Sequence, residues 1–271
     1  MSAAPTASDT TSPRNGDSDG APREPFVSIV VPAFNEVQRI AGTLAHMRQY
    51  LDGQAYGYEI IVAADGDDGT REKVAELSAR DPRVSVIGSR ERGGKGKGVR
   101  EGILRCRGRY VGFIDADYKT PIDELEKLMP HLRDGCDVVI GSRAVGESRI
   151  ERPQPMYRRV GSKVFARVMR TLVGLHGVAD TQCGFKFFQR HVARDLFSRQ
   201  RIDGYMFDVE ILRLALRGGY RVKEVGVRWA DDGDSRYDPV GGTLKNAKEL
   251  LRIRFMRYGA AERHAQPSAA L

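Results

Sequence analysis

The sequence predicts an α/β domain with a mostly parallel sheet flanked by helices. Three observations predict it. Short β-branched runs alternate with stretches of helical periodicity along most of the chain. The runs are continuously apolar, as in strands covered on both faces. Four of them end in a polar or charged tag: "PAFNE", "ADGDDGT", "DADYKTP" and "GSR". In such sheets, ligands bind beyond the carboxyl ends of the strands.

The elements follow in order. "FVSIVVPAF" (26–34) reads as a buried strand stopped by proline, and Ile40, Leu44, Met47 and Leu51 then share one helix face. "YEIIVAA" (58–64) is the second strand, followed by a Gly/Asp turn, in which Asp67 or Asp68 caps a helix carrying Val74 and Leu77. "RVSVIG" (83–88) is a short third strand, and a helix covers about 97–106. "RYVGFIDAD" (109–117) is the fourth strand, a helix spans about 122–133, and "CDVVIGSR" (136–143) is the fifth strand. Beyond Arg143 the expectation is a helix near 156–175, a helix at 207–219, one alternating strand at 220–229 and a basic amphipathic helix at 241–258.

Length and composition bound the reading. The chain has 271 residues and suits one domain over 25–258. Residues 1–24 are rich in Ser, Thr, Ala, Pro, Gly and Asp and read as a disordered arm without a secretory signal; 259–271 read as a flexible tail. The apolar runs are strand-sized, far below the ~20 residues of a membrane-crossing helix. Cys106, Cys136 and Cys183 match no zinc spacing and read as reduced thiols in a cytoplasmic protein. The net charge of +8 implies an anionic partner: nucleic acid, a membrane surface or a phosphorylated substrate.

The motifs narrow that choice. Asp115 and Asp117 stand two apart just past Ile114, the last buried residue of the fourth strand, so both reach one face. Magnesium or manganese suits paired carboxylates and leaves room for a diphosphate. The structural alternative has one aspartate capping the next helix and the other solvated. Asn35 and Glu36 serve equally well as helix caps, and Asp65 is placed to accept hydrogen bonds from a base or ribose.

"RGGKGKGVR" (92–100) fails as a triphosphate loop because no Ser or Thr follows Lys97. It reads instead as a glycine turn that starts a helix and sets Lys95 or Lys97 beside an anion. It lacks the interleaved aromatics of a nucleic-acid surface, so no nucleic-acid partner is expected.

In order, "IVVPAFNE", "EIIVAADGDDGT", "GGKGKGVREGI", "YVGFIDADYKTP", "VVIGSR", "DTQCGFKFF" and "FDVEIL" resemble the family 2 glycosyltransferases of the GT-A fold. The likeness covers roughly residues 26–256 and is greatest to the polyprenyl-phosphate sugar transferases, above all the dolichyl-phosphate glucosyltransferases. It implies a Rossmann-like nucleotide-sugar-binding half at 25–143 and an acceptor-side extension at 144–258. It also implies an inverting transferase moving a hexose, glucose from UDP-glucose, onto a polyprenyl or dolichyl phosphate.

By this resemblance Pro32, Ala33, Glu36 and Asp65 hold the nucleoside. Lys95, Asp115, Ala116 and Arg143 line the sugar-diphosphate site. Asp117 is the main ligand of Mg2+ or Mn2+, with Asp115 beside it. Lys119 stands where the mannose synthases place a glutamine metal ligand, so coordination differs here. Ala64 replaces one of the paired aspartates usual before Gly66, which leaves the preferred base open.

A phosphate monoester has a second pKa of ~6 and needs cations more than a general base. Arg158, Arg159, Lys163, Lys186, Ser235 and Arg236 are the candidates to hold it. Asp208 carries two readings, an acceptor-orienting catalytic residue or a helix cap, and Glu210 reads as helix-surface structure. Basic helices at 156–175 and 241–258 suggest peripheral docking on the cytoplasmic membrane face, beside a membrane-protein partner. The rival readings are the same donor site with a soluble acceptor, a basic nucleic-acid-binding protein, and an inactive scaffold.

Overall fold

In the computed structural model of the protein, residues 24–152, 170–175, 177–230 and 241–258 are described. Strands β1 (Val27–Phe34), β2 (Tyr58–Asp65), β3 (Val84–Ile87), β4 (Tyr110–Ile114) and β5 (Val138–Ser142) fall on the expected runs. Between them lie helices α1 (Ile40–Asp52), α2 (Thr70–Ser78), α3 (Lys95–Arg105) and α4 (Leu125–Arg133), the last entered through a short 3-10 turn at Ile122–Glu124.

With β7 at Phe185–Gln189 and β8 at Val222–Gly226, the main sheet has the order β3-β2-β1-β4-β7-β5-β8. All its pairings are parallel except those of β7 (Phe185–Gln189), which runs antiparallel between β4 and β5. The seam was not expected, because Lys186 interrupts a five-residue run too short to register as a strand. After β7 come α5 (Arg190–Ser198), α6 (Phe207–Arg217), β8 (Val222–Gly226) and α7 (Gly241–Phe255).

The run expected as one strand over 220–229 divides at Val227. Its amide donates to Ser142 O at 3.1 Å, and its carbonyl accepts Arg149 N at 3.3 Å. Val227 thereby leaves the main sheet, and β9 (Arg228–Ala230) pairs instead with β6 (Arg149–Arg152), a strand with no sequence signal. Of the helix expected near 156–175, only 170–173 lies among the described helical residues.

Alternation along the strands sends side chains into two helix layers. Val27, Ile29 and Val31 of β1 join Ile40, Leu44, Met47 and Leu51 of α1 and Leu125, Leu128 and Leu132 of α4. Val30, Ile61 and Phe113 face the other way, into Val99 and Ile103 of α3, Leu196 of α5, Phe207 and Ile211 of α6 and Ile253 of α7. Covered on both sides, the sheet leaves only its ends open. The carboxyl ends of β1, β2, β4 and β5 share one edge with the start of β7.

Candidate active site

That edge gathers the charged tags. Past Ile114 the backbone leaves the sheet in a tight turn: Tyr118 has φ 54°, and its amide donates to Asp115 O at 3.1 Å. The turn holds Asp115 and Asp117 against one cavity of about 170 Å³, which Lys119, Arg143, Gln182 and Trp229 also line. Ala116 does not take part through its side chain, which is buried in the α1 core, while its carbonyl accepts the Thr43 hydroxyl at 2.8 Å.

Each aspartate has a lysine. Lys95 Nζ lies 2.7 Å from Asp115 Oδ1, and Lys119 Nζ lies 3.5 Å from Asp117 Oδ2. Burial pushes the Asp117 carboxyl above the usual range and the charge of Asp115 adds to this, with Lys119 and Lys95 opposing. Burial would lower the Lys95 ammonium, but Asp115 and Asp208 outweigh it and keep Lys95 protonated. Gly184 makes room for this arrangement: a Cβ there would stand 2.0 Å from Asp115 Oδ2.

The loop that carries Lys95 is clamped from behind. Gly94 has φ 106° and presses so closely on Asp203 O that a Cβ would come within 2.3 Å. Lys97 N donates to the same carbonyl at 3.2 Å, and Arg100 pairs with the Asp203 carboxylate at 2.8 Å. Glu249 of α7 in turn accepts Met206 N at 3.2 Å, so the C-terminal helix braces the turn on which the lysine loop rests.

Arg143 reaches the cavity with its guanidinium forked on Asp180, at 2.6 and 2.8 Å. Burial alone would raise the Asp180 carboxyl, but the hydrogen bonds and charge of Arg143 hold it at about 2. Asp65 lies in a separate, smaller cleft with Ser89, Lys97 and Glu101. Its carboxylate accepts Gly93 N at 2.8 Å and Ser89 N at 3.2 Å, tying the third-strand loop to β2. Pro32 and Glu36 are partly exposed near the β1 end, while the Ala33 side chain is packed in the core. Glu36 does not act as the α1 cap: the N-cap position is Arg39, without a side-chain cap bond. Asp68 does brace the α2 start, accepting the Thr70 amide at 3.0 Å.

Other expected residues lie elsewhere. Lys186 does not face the cavity; it is fully buried, with Nζ 2.6 Å from Asp208 Oδ1 and 2.5 Å from Cys183 O. Asp208 is likewise enclosed, its carboxyl raised by burial against the pull of Lys186 and Lys95. Glu210 is not on a helix surface: it is fully buried and accepts Arg201 N, Ile202 N and the Tyr258 hydroxyl. Arg158, Arg159, Lys163, Ser235 and Arg236 lie outside the described residues. Sequence reasoning missed Gln182, Gly184 and Trp229 as cavity residues and Asp180 as the partner of Arg143. The run "DTQCGFKFF" and the chain's single tryptophan were the available signals.

The donor set suits a hard divalent cation. Two carboxylates face one partly buried cavity, and burial together with the charge of Asp115 raises the cost of ionising Asp117, a strain that a cation relieves. No third His, Cys, Asp or Glu joins them as a cluster among the described residues, so the remaining ligands would be oxygens of a substrate and water.

The comparisons with known proteins agree with this edge. The sequence profile of glycosyl transferase family 2 matches residues 28–197, well over half the chain. The chain belongs to glycosyl transferase family 2. It is therefore a glycosyltransferase. It is 35% identical over 244 residues to a dolichyl-phosphate beta-glucosyltransferase of Trichomonas vaginalis, covering 86% of this chain and 72% of that relative. The human dolichyl-phosphate beta-glucosyltransferase is 32% identical over 246 residues, covering 86% and 75%.

Among solved structures, the glycosyltransferase resembles glucosyl-3-phosphoglycerate synthase of Mycobacterium tuberculosis, in complex with Mn2+, UDP and phosphoglyceric acid. That likeness has a TM-score of 0.61 at 21% identity, over 84% of this chain and 77% of the other. Mannosyl-3-phosphoglycerate synthase of Rubrobacter xylanophilus gives 0.61 at 17% identity, over 84% and 72%. At these identities the structural likeness establishes the GT-A fold.

Proposed function

We propose that the protein is an inverting, metal-dependent transferase that moves glucose from UDP-glucose onto a polyprenyl phosphate at a membrane surface. One observation carries the donor half of the reading: two aspartates and the cations Lys119 and Arg143 line a single cavity at the carboxyl edge of the sheet, with Lys95 paired to Asp115. A nucleoside diphosphate leaving its sugar develops charge that such fixed cations stabilise. Asp117 and Asp115 would hold Mg2+ or Mn2+, which when bound supplies further positive charge to the leaving diphosphate. The nucleoside would lie toward Asp65, with Pro32, Ala33 and Glu36 at its flank.

The acceptor reading draws on the relatives named above and on the site itself. Asp208, enclosed by Lys186, has no path to an incoming hydroxyl and so is proposed as a positioning residue. With Asp115 and Asp117 assigned to the cation, no other carboxylate or histidine lines the cavity among the described residues, which suits an acceptor already ionised, as a phosphate monoester is near neutral pH. Arg158, Arg159, Lys163, Ser235 and Arg236 remain the proposed phosphate-holding groups.

The lipid surface is proposed to meet α7. There Leu251 is 49% and Phe255 75% exposed, beside Arg252, Arg254 and Arg201. This combination of apolar and basic side chains fits an interfacial helix. No helix among the described residues is long and apolar enough to cross a membrane.

The deciding assay offers the protein labelled UDP-glucose or GDP-mannose with Mn2+, and either a polyprenyl phosphate or 3-phosphoglycerate. Label from UDP-glucose should pass into the organic-extractable lipid. Transfer only to the soluble acceptor would replace the lipid reading, and no turnover with either donor would end the donor assignment. Asp117→Asn should reduce transfer by about 10²–10³-fold.

A further inference from the structure

Among the described residues, the charges at the cavity pair off. Asp115 is matched by Lys95, Asp117 by Lys119, and Arg143 by Asp180. A divalent cation entering by itself would leave this partly buried space with two uncompensated positive charges. The diphosphate of a nucleotide sugar carries two negative charges, so the cation and the donor together restore neutrality.

The two lysines are not equivalent. Lys95 is seated at the start of α3 on a 2.7 Å contact, and the field of Asp208 also holds it. Lys119 makes the longer 3.5 Å contact, with its Nζ 5.9 Å from the Trp229 ring. Its backbone is fixed, since Lys119 O accepts Ala230 N at 3.0 Å, while a lysine's four-carbon stem is flexible by its chemistry. Of these two lysines, Lys119 has the looser hold on its aspartate and so the smaller cost in turning from Asp117 to a phosphate oxygen.

We propose that Lys119 is a tethered counter-cation that holds Asp117 in the absence of donor and makes divalent-metal entry conditional on the donor's diphosphate. The inference rests on the donor-site reading above and specifies how that site is gated. Lys119 is thus a positioning residue whose removal should improve one property, the affinity for metal alone. General damage to the site would not do so.

The test titrates Mn2+ into the full chain with and without UDP, following bound Mn2+ by electron paramagnetic resonance and quenching of Trp229, the only tryptophan. Wild-type protein should bind Mn2+ at least about tenfold more tightly with UDP present. Lys119→Met, which removes the charge at similar length, should bind Mn2+ alone about tenfold more tightly than wild type and depend less on UDP. Lys119→Gln, adding an oxygen donor, should bind at least as tightly as Lys119→Met. Equal Mn2+ affinity in wild type and both variants, with UDP still promoting binding, would overturn the gating role but keep the donor site. Absence of Mn2+ binding in every protein, even with UDP, would overturn the donor-site reading itself.

Discussion

The Lys186 ammonium and the Asp208 carboxylate meet at 2.6 Å, with side-chain exposures of 0% and 4%. The pair pins the antiparallel strand β7 to the first turn of α6, directly behind the Lys95–Asp115 contact. Removing one partner of such a pair leaves a buried charge uncompensated. Lys186→Met should therefore destabilise the fold by about 3–5 kcal/mol, and Lys186→Met with Asp208→Leu should recover much of that loss. Urea denaturation of both variants checks this; a double variant no more stable than the single would refute it.

Asp180 sets an acid limit on stability. Its carboxyl titrates at about 2 in the fold against 3.8 ordinarily, so below neutral pH the unfolded chain takes up its proton first. The resulting ~2 kcal/mol is fully present above pH ~4 and is lost as the pH falls toward 2. Asp180→Asn should lack this contribution at neutral pH and show a flatter acid dependence between those values. Denaturation midpoints measured over that range read the difference directly.

Gly184→Ala should damage activity more than folding. The added methyl would occupy the place of the Asp115 carboxylate, forcing it off Lys95. A displacement of about 1 Å in a catalytic group costs on the order of 10²-fold in rate. Steady-state transfer assays together with thermal melting separate the two effects; a variant with normal turnover would show that Asp115 need not hold its observed position.

Leu251 and Phe255 lie on the solvent side of α7, so replacing both with serine should change stability by less than about 0.5 kcal/mol each. Each apolar side chain inserted into lipid contributes about 1.5–3 kcal/mol. The double variant should thus lose at least tenfold in affinity for anionic vesicles in a flotation assay. Unchanged flotation would move the docking surface away from α7.

Much of this architecture was legible because its signals are local. Uninterrupted apolar runs identified β1, β2, β4 and β5, and the shared edge follows from their being parallel. The tags at that edge led to Asp115, Asp117 and Arg143, and the glycine loop at 92–100 led to Lys95. What escaped depended on partners distant in sequence. Lys186 looked like an available cation because nothing near it discloses Asp208, and Glu210 looked superficial because Tyr258 and the 201–202 amides arrive from other elements. Trp229 reaches the cavity only because β9 departs from the main sheet at Val227, a break that an alternating pattern does not reveal.

The antiparallel seam also dictates an order of assembly. Strands β1 to β4 can gather through short crossovers, but β5 cannot join them until Phe185–Gln189 has been made and slotted between. Until then the β4 edge from Tyr110 to Ile114 displays unsatisfied amides and carbonyls to any neighbouring chain. A nascent polypeptide stalled or cut before Phe185 would be sticky along that strand, however well its first half had folded.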